Sequence, residues 1–252
     1  MRILIFTILI HMACIFSIKA SEPINIVFIG NSITFGATLA GQDESAANRS
    51  VEALKAKGLD DIDFANCGVC GATTVDFLPA TATLYNNAVA AARDLMSRHK
   101  GSLIFQISLG TNDSACSGPL GSPVLPQQYY TNLKVIIDDL SASFPGCRIV
   151  LQYPIWYSPN TYNGAVYLKA GLDRLKSYFP MLERLGREYA DKNLTLGSTA
   201  AFDFFKDKIE YLTPEDGNAG VFYLHPNAAG AVRLGDFWVT MVHPTFRVIR
   251  QS

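Results

Sequence analysis

Four short segments carry side chains and backbone groups that could act together. Gly30-Asn31-Ser32-Ile33-Thr34 offers a small hydroxyl at Ser32. Asn66-Cys67-Gly68-Val69-Cys70-Gly71 offers an unobstructed backbone N–H at Gly71, and Gly110-Thr111-Asn112-Asp113 a carboxamide at Asn112. His225-Pro226-Asn227 offers an imidazole. A serine hydroxyl becomes a nucleophile when a neighbouring base removes its proton. N–H donors aimed at a developing oxyanion each lower an acyl-transfer barrier by roughly 3 kcal/mol. Taken singly, each piece has an ordinary structural reading. Ser32 can begin a turn, and Gly71 and Asn112 are common turn residues. His225 can mark a helix start, with Pro226 and Asn227 as entry and cap. His99, before Lys100-Gly101, and His243, before Pro244, read as helix-end cations.

The elements that must position these groups alternate. Ile24–Ile29 is a continuous apolar run, so Ser32 falls just beyond the C-terminal end of a buried strand, where open α/β sheets place their chemistry. Further strands are predicted at 61–65, 102–107, 148–153 and, more briefly, 194–196. Helical spacing covers 43–57, 85–99, 127–144 and 228–242. Residues 164–191 form one long helix or two shorter ones, with Pro180 as the break. This pattern predicts an α/β protein, a three-layer αβα sandwich around a parallel sheet of about five strands. The stretches 114–126, 154–163 and 212–224 read as long irregular loops, a frequent seat of function.

The chain has 252 residues, 49% of them hydrophobic and 17% charged, with a net charge of −1. That length suits one α/β domain. No long charged run argues for nucleic acid or an anionic membrane surface as a partner. Residues 1–20 differ from the rest: Arg2, an apolar centre and Ala20-Ser21 read as a secretory signal peptide cleaved after Ala20, leaving a domain over 21–252. A membrane anchor would need about 20 unbroken apolar residues. Cys14 faintly resembles a lipoprotein site, with His11 in place of an aliphatic residue. The expectation is an exported protein, periplasmic or secreted, with no membrane span in the mature chain. Export permits disulfides among Cys67, Cys70, Cys116 and Cys147, with three possible pairings; buried free thiols are the alternative. Widely spaced cysteines argue against zinc. Asn48-Arg49-Ser50 and Asn193-Leu194-Thr195 match the glycosylation pattern.

In this order, the four segments resemble the blocks of the SGNH (GDSL-type) hydrolases, over nearly all of the chain from Ile24 to about Val242. The resemblance implies Ser32 as nucleophile and first oxyanion donor through its N–H, Gly71 and Asn112 as the other donors, and His225 as base. It implies a flavodoxin-like fold and neither metal nor organic cofactor. Two positions depart from the family pattern. Asn31 stands where Asp is usual before the serine, and there it would support the turn. Phe222 stands three residues before His225, where the family carries an acid. The segment Thr213-Pro214-Glu215-Asp216-Gly217 lies upstream, and a loop folding back could bring Asp216 to the imidazole. Glu215 and a main-chain carbonyl are the alternatives, since the orienting group fixes the tautomer and supports the imidazolium charge.

Within that family the expected reaction is hydrolysis of an acyl ester, an O-acetyl ester on a carbohydrate being favoured. No long apolar stretch resembles a lipid-binding lid. Residues 153–160 and 127–130 are rich in aromatic and amide side chains that suit a sugar ring, and Trp156 is the expected substrate contact. The general layout also resembles acetylesterases acting on sialic acid or plant polysaccharides. A general short-chain esterase or lysophospholipase-type lipase is the alternative, and a degenerate glycan-binding member, suggested by Phe222, is another.

Overall fold

A computed structural model describes residues 23–80 and 83–240. The leader expected over 1–20 and His243 lie outside these residues. Five parallel strands form the central sheet: β1 (Ile24–Gly30), β2 (Ile62–Gly68), β3 (Ser102–Ser108), β4 (Arg148–Leu151) and β5 (Leu194–Leu196), in the order β2-β1-β3-β4-β5. Every residue of β1 is buried. A strand covered on both faces must be apolar throughout, hence the unbroken run in the sequence. Its alternate side chains feed two cores. Val27 and Ile29 point to one face, covered by α3 (Thr83–Arg98), α4 (Pro126–Ser143), α5 (Leu168–Ser177) and α6 (Phe179–Glu188). Ile24, Ile26 and Phe28 point to the other, covered by α2 (Ala46–Lys55), α7 (Ala200–Asp207) and α8 (Ala228–Val239). Phe28 stacks on Trp238 of α8 with ring centroids 6.2 Å apart. This is the expected three-layer αβα architecture.

The helix over 164–191 is two helices. Pro180 lies in the first turn of α6, where its missing N–H has no intrahelical acceptor to lose. The helix expected from Asp43 begins at Ala46, capped by the Ser45 side chain, after a 3₁₀ turn over Gln42–Glu44. The expected loop at 212–224 is largely a hairpin: β6 (Leu212–Glu215) and β7 (Phe222–Pro226) pair antiparallel, away from the main sheet. Pro214 and Gly217 disguise these strands, because proline is tolerated on such a two-stranded edge but reads as a breaker.

The connection that turns back after β1 is α1 (Ser32–Phe35), a single turn capped by Asn31, whose side chain accepts from the Ile33 N–H at 3.0 Å. It lies against the end of β2 so closely that a Cβ on Gly68 would stand 2.4 Å from the Phe35 nitrogen. Asn66 bridges the same contact, donating to the Thr34 carbonyl at 2.8 Å and accepting from the Gly68 N–H at 2.9 Å.

At the opposite end of the sheet, His99 does more than end α3. Its ring meets Asn25 Oδ1 at 2.7 Å and Asp61 at 2.8 Å, while Asn25 Nδ2 donates to the His99 and Gly101 carbonyls. Asn25 is fully buried, so removing its amide strands several polar groups. Asn25→Leu is expected to lower unfolding free energy by about 1–3 kcal/mol in urea or thermal melts.

Candidate active site

The reversal of strand order between β1 and β3 leaves a crevice beyond their C-terminal ends, and ligands of open α/β sheets bind in such crevices. Ser32 emerges from β1 into this crevice, and Asn112 follows β3. A cavity of about 530 Å³ opens there, and Ser32, Gly71, Asn112 and His225 all line it.

Ser32 Oγ lies 2.9 Å from His225 Nε2, and His225 Nδ1 lies 2.8 Å from Glu215 Oε1. The carboxylate that meets the imidazole is therefore Glu215, correcting the expectation for Asp216. The ladder supplies the reason. Glu215 is the Cα partner of Phe222, so it sits directly across from the position where an acid was missing. Side chains alternate along a strand, and Asp216, one residue on, is exposed. Phe222 is buried in the core instead. From Pro214↔Tyr223 to Leu212↔Pro226 the pairing advances two residues on β6 and three on β7, a bulge at Leu224-His225. Bulges bend a strand and re-aim a side chain. Here the extra residue accompanies an imidazole that reaches Ser32 on one side and Glu215 on the other. His225 and Glu215 are both largely buried, with side-chain exposures of 9% and 19%, which limits screening of the pair by solvent.

The donor side of the cavity is built by two loops tied together. A turn closed by the Ala72 N–H on the Val69 carbonyl carries Gly71 at φ +81°, the positive value a type II turn demands at its third residue. Asn112 Nδ2 donates to the Ala72 carbonyl at 2.9 Å, fastening the second loop to the first. Asn112 Oδ1 accepts from the Tyr167 hydroxyl at 2.6 Å. Behind them, the fully buried Asp113 accepts from both the N–H and the hydroxyl of Thr74, and Asn132 of α4 donates to that same hydroxyl. The Ser32 N–H lies in the first turn of α1, where helical N–H groups have no intrahelical acceptor.

Trp156 does not line the cavity. It packs, half-buried, against both cores, because the segment after β4 runs beside the sheet. Tyr129 and Tyr130 are likewise buried, Tyr129 donating to the Leu109 carbonyl, and Tyr157 is in the core with its hydroxyl 2.9 Å from Ser114 Oγ. These aromatic residues stabilise the fold and give no argument for a sugar. Tyr167 is the wall residue that sequence reasoning missed, since it reads there as one aromatic among many. The remaining wall is mostly small: Ala37, Gly118, Pro119, Gly164 and Ala165, with Asn163, Cys70 and the larger Leu224. Cys67, Cys70, Cys116 and Cys147 are all free thiols, and burial pushes Cys67 and Cys147 up to about 11. Among the described residues no cluster of three or more His, Cys, Asp or Glu could hold a metal, and no helix is long and apolar enough to cross a membrane.

The profile of the GDSL-like lipase/acylhydrolase family matches residues 28–233. The chain belongs to that family. Solved structures agree on the fold. A two-domain esterase active on acetylated mannans aligns over 93% of this chain at 19% identity with a TM-score of 0.57. The alignment spans 51% of that esterase, so this chain matches about half its length. The lipase/acylhydrolase from Enterococcus faecalis aligns over 85% of this chain and 93% of its own, at 19% identity and TM-score 0.58. An alpha/beta hydrolase enzyme from the metagenome of Lake Arreo, Spain, aligns over 88% and 94%, at 19% identity and TM-score 0.61. No curated protein sequence matches.

For this member of the family the geometry gives two predictions. Glu215→Gln should lower kcat for an activated acetate ester by about 10²–10⁴-fold, through the wrong tautomer and an unsupported imidazolium, while Asp216→Asn stays within about twofold of the parent enzyme; ester hydrolysis assays decide between the two acids. The second concerns Asp113. Burial, partly offset by the Thr74 hydrogen bonds, pushes its carboxyl up to about 6, against about 3.9 when unfolded. Between these values the folded chain keeps a proton that the unfolded chain has released, so this group's contribution to stability declines as pH rises. Asp113→Asn does not titrate. Its Tm relative to the parent should therefore rise between about pH 4 and pH 6.5 and then level off, as thermal melts across that range would register.

Proposed function

We propose that this protein is a serine esterase that hydrolyses O-acyl esters, with short acyl groups, O-acetyl above all, on carbohydrate alcohols. The observation that carries the reading is the continuous hydrogen-bonded path from Ser32 Oγ through His225 to Glu215, beside the donors of Gly71 and Asn112. In this reading His225 Nε2 takes the Ser32 proton as Oγ attacks the ester carbonyl. Glu215 holds Nδ1–H and stabilises the imidazolium. The oxyanion is met by the N–H groups of Ser32 and Gly71 and by the Asn112 carboxamide. His225 then gives its proton to the leaving alcohol, and a water it activates releases the acid from Ser32. Every step uses protein groups and water.

Support for a small acyl group and a neutral polyhydroxyl partner comes from the wall. It is short, made largely of glycine, alanine and proline, carries no formal charge apart from what His225 acquires, and adds the exposed Asn163 at the mouth. The fold shared with an esterase active on acetylated mannans favours the same direction by analogy. A general short-chain esterase is the second reading, favoured by the exposed Val69 and Leu120, which adjoin the lining residues Cys70 and Pro119 in the chain. The intact path through Glu215 weighs against a glycan-binding member without turnover. Export through the leader over 1–20 belongs to the same proposal and would bring the enzyme to extracytoplasmic glycans.

Acetate release from a panel of acetylated oligosaccharides, compared with p-nitrophenyl esters of increasing acyl length, tests the reading. The expected result is release from at least one glycan, activity falling beyond butyrate, and loss by about 10³-fold or more in Ser32→Ala. Retention of full rate by Ser32→Ala defeats the mechanism. Faster turnover of octanoate than of any acetate defeats the substrate class.

A further inference from the structure

Asn112 can serve the reaction only if its carboxamide faces one way, and nothing in the amide's shape dictates which. The two ends are nearly isosteric. In the orientation it takes, one N–H is committed to the Ala72 carbonyl at 2.9 Å, and the residue lines the cavity. The opposite orientation would set the amide oxygen against the Ala72 carbonyl, acceptor against acceptor. The group that rewards the productive orientation is the Tyr167 hydroxyl, which donates to Asn112 Oδ1 at 2.6 Å.

Tyr167 is itself held with little freedom. It is almost fully buried yet lines the cavity. Its ring meets Tyr157 edge to face at 5.3 Å. The N–H groups of Tyr167 and Leu168 both donate to the Thr161 carbonyl, at 3.2 and 3.1 Å. Leu168 takes φ +53°, a conformation that leucine rarely adopts and that typically requires support from its surroundings. Strain at the residue after Tyr167 makes sense if the tyrosine's placement is what the segment secures. Burial raises the phenol further above its ordinary range, so it remains a donor at any working pH. A hydrogen bond to an amide oxygen also draws electron density from the nitrogen, which strengthens the N–H as a donor.

We infer that Tyr167 is a positioning residue for the proposed hydrolysis: its phenol locks and polarises the Asn112 carboxamide as an oxyanion donor. The inference rests on the serine-esterase reading and deepens it. A merely structural tyrosine would affect turnover whether or not Asn112 were present. A tyrosine acting through the carboxamide has nothing left to do once the carboxamide is gone.

The test is a double-mutant cycle on p-nitrophenyl acetate. Tyr167→Phe should lower kcat by about tenfold with KM within about twofold, and in the Asn112→Ala background it should change kcat by less than about twofold. An equal loss with and without Asn112, or parental kcat in Tyr167→Phe, overturns the inference. The side-chain ¹⁵N–¹H pair of Asn112, recognised by its disappearance in Asn112→Ala, reads the contact where turnover is too slow to follow. It should shift in Tyr167→Phe while the backbone spectrum elsewhere is kept, and an unmoved pair overturns the inference. Parental protein inert toward every ester would instead count against the esterase reading, leaving the amide signal to report on the tyrosine contact by itself.

Discussion

The imidazole of His225 is pinned at both nitrogens, and most of the molecule's organisation follows from where that pinning must happen. Nε2 has to reach a hydroxyl at the end of β1, while Nδ1 has to reach a carboxylate that is not part of the main sheet. A separate antiparallel pair, β6 and β7, solves this by carrying base and acid on neighbouring strands. The ladder sets their spacing, and the bulge at Leu224-His225 accompanies the turn of the imidazole out of simple alternation. α8, capped by Asn227 two residues after the histidine, then docks on the same sheet face as Phe28. The strand end that presents the hydroxyl and the hairpin that presents the base are thus both referenced to one core.

The donor side follows a different rule. Its groups sit on loops, and loops do not position themselves, so a network of buried polar contacts substitutes for a ladder. Asn112 fastens the third segment to the second through Ala72, and Asp113 does so again through Thr74. Asn132 extends the network into α4. Such networks are worth most when fully satisfied, because low local dielectric strengthens each bond and equally penalises each gap. This one has a gap: Asp113 Oδ2 is buried without a partner among the described residues. The Thr34 hydroxyl, in the nucleophile's turn, is in the same condition. Both lie immediately behind groups that face the cavity, consistent with sites relaxing local rules where function sets the geometry.

Sheet and helices were legible in the sequence because their signals are local. β1 shows the continuous apolar run of a doubly covered strand, and α4 shows helical spacing closed by Pro145-Gly146. The four segments at the site were legible because each residue type has few chemical alternatives at its position. The acid was not, for a physical reason. Reading along the chain, Phe222 occupies its place and no acid stands there. Across the ladder, Glu215 occupies the same neighbourhood, and cross-strand adjacency leaves no trace in sequence distance once a hairpin is hidden by Pro214 and Gly217. Trp156 failed for the opposite reason. Its chemistry suited a ligand, but an aromatic after a buried strand usually has a core to fill, and Trp156 lies against both.

Reaction and selection are therefore built by different parts of the chain. The reacting groups depend on β1, on the hairpin and on the two tied donor loops, all close to the sheet. The rest of the cavity wall comes from elsewhere. The segments around 114–124 and 154–167 meet in an antiparallel bridge between Ser117 and Val166, and they bring Gly118, Pro119, Gly164 and Ala165 to the cavity. A Cβ on Gly118 would stand 2.9 Å from Ala165 Cα, so this wall is closed by backbone contact and cannot thicken at that point. Gly164 has no such neighbour within 4 Å, and its limit is its backbone angle, φ +110°. Tyr167 ends the second segment and bonds Asn112 directly. Changes at Gly118, Pro119, Gly164 or Ala165 alter the wall without touching a hydrogen bond of the Ser32–His225–Glu215 path. Changes at Tyr167 also reach the donor side, because there the cavity wall and the bond to Asn112 belong to the same side chain.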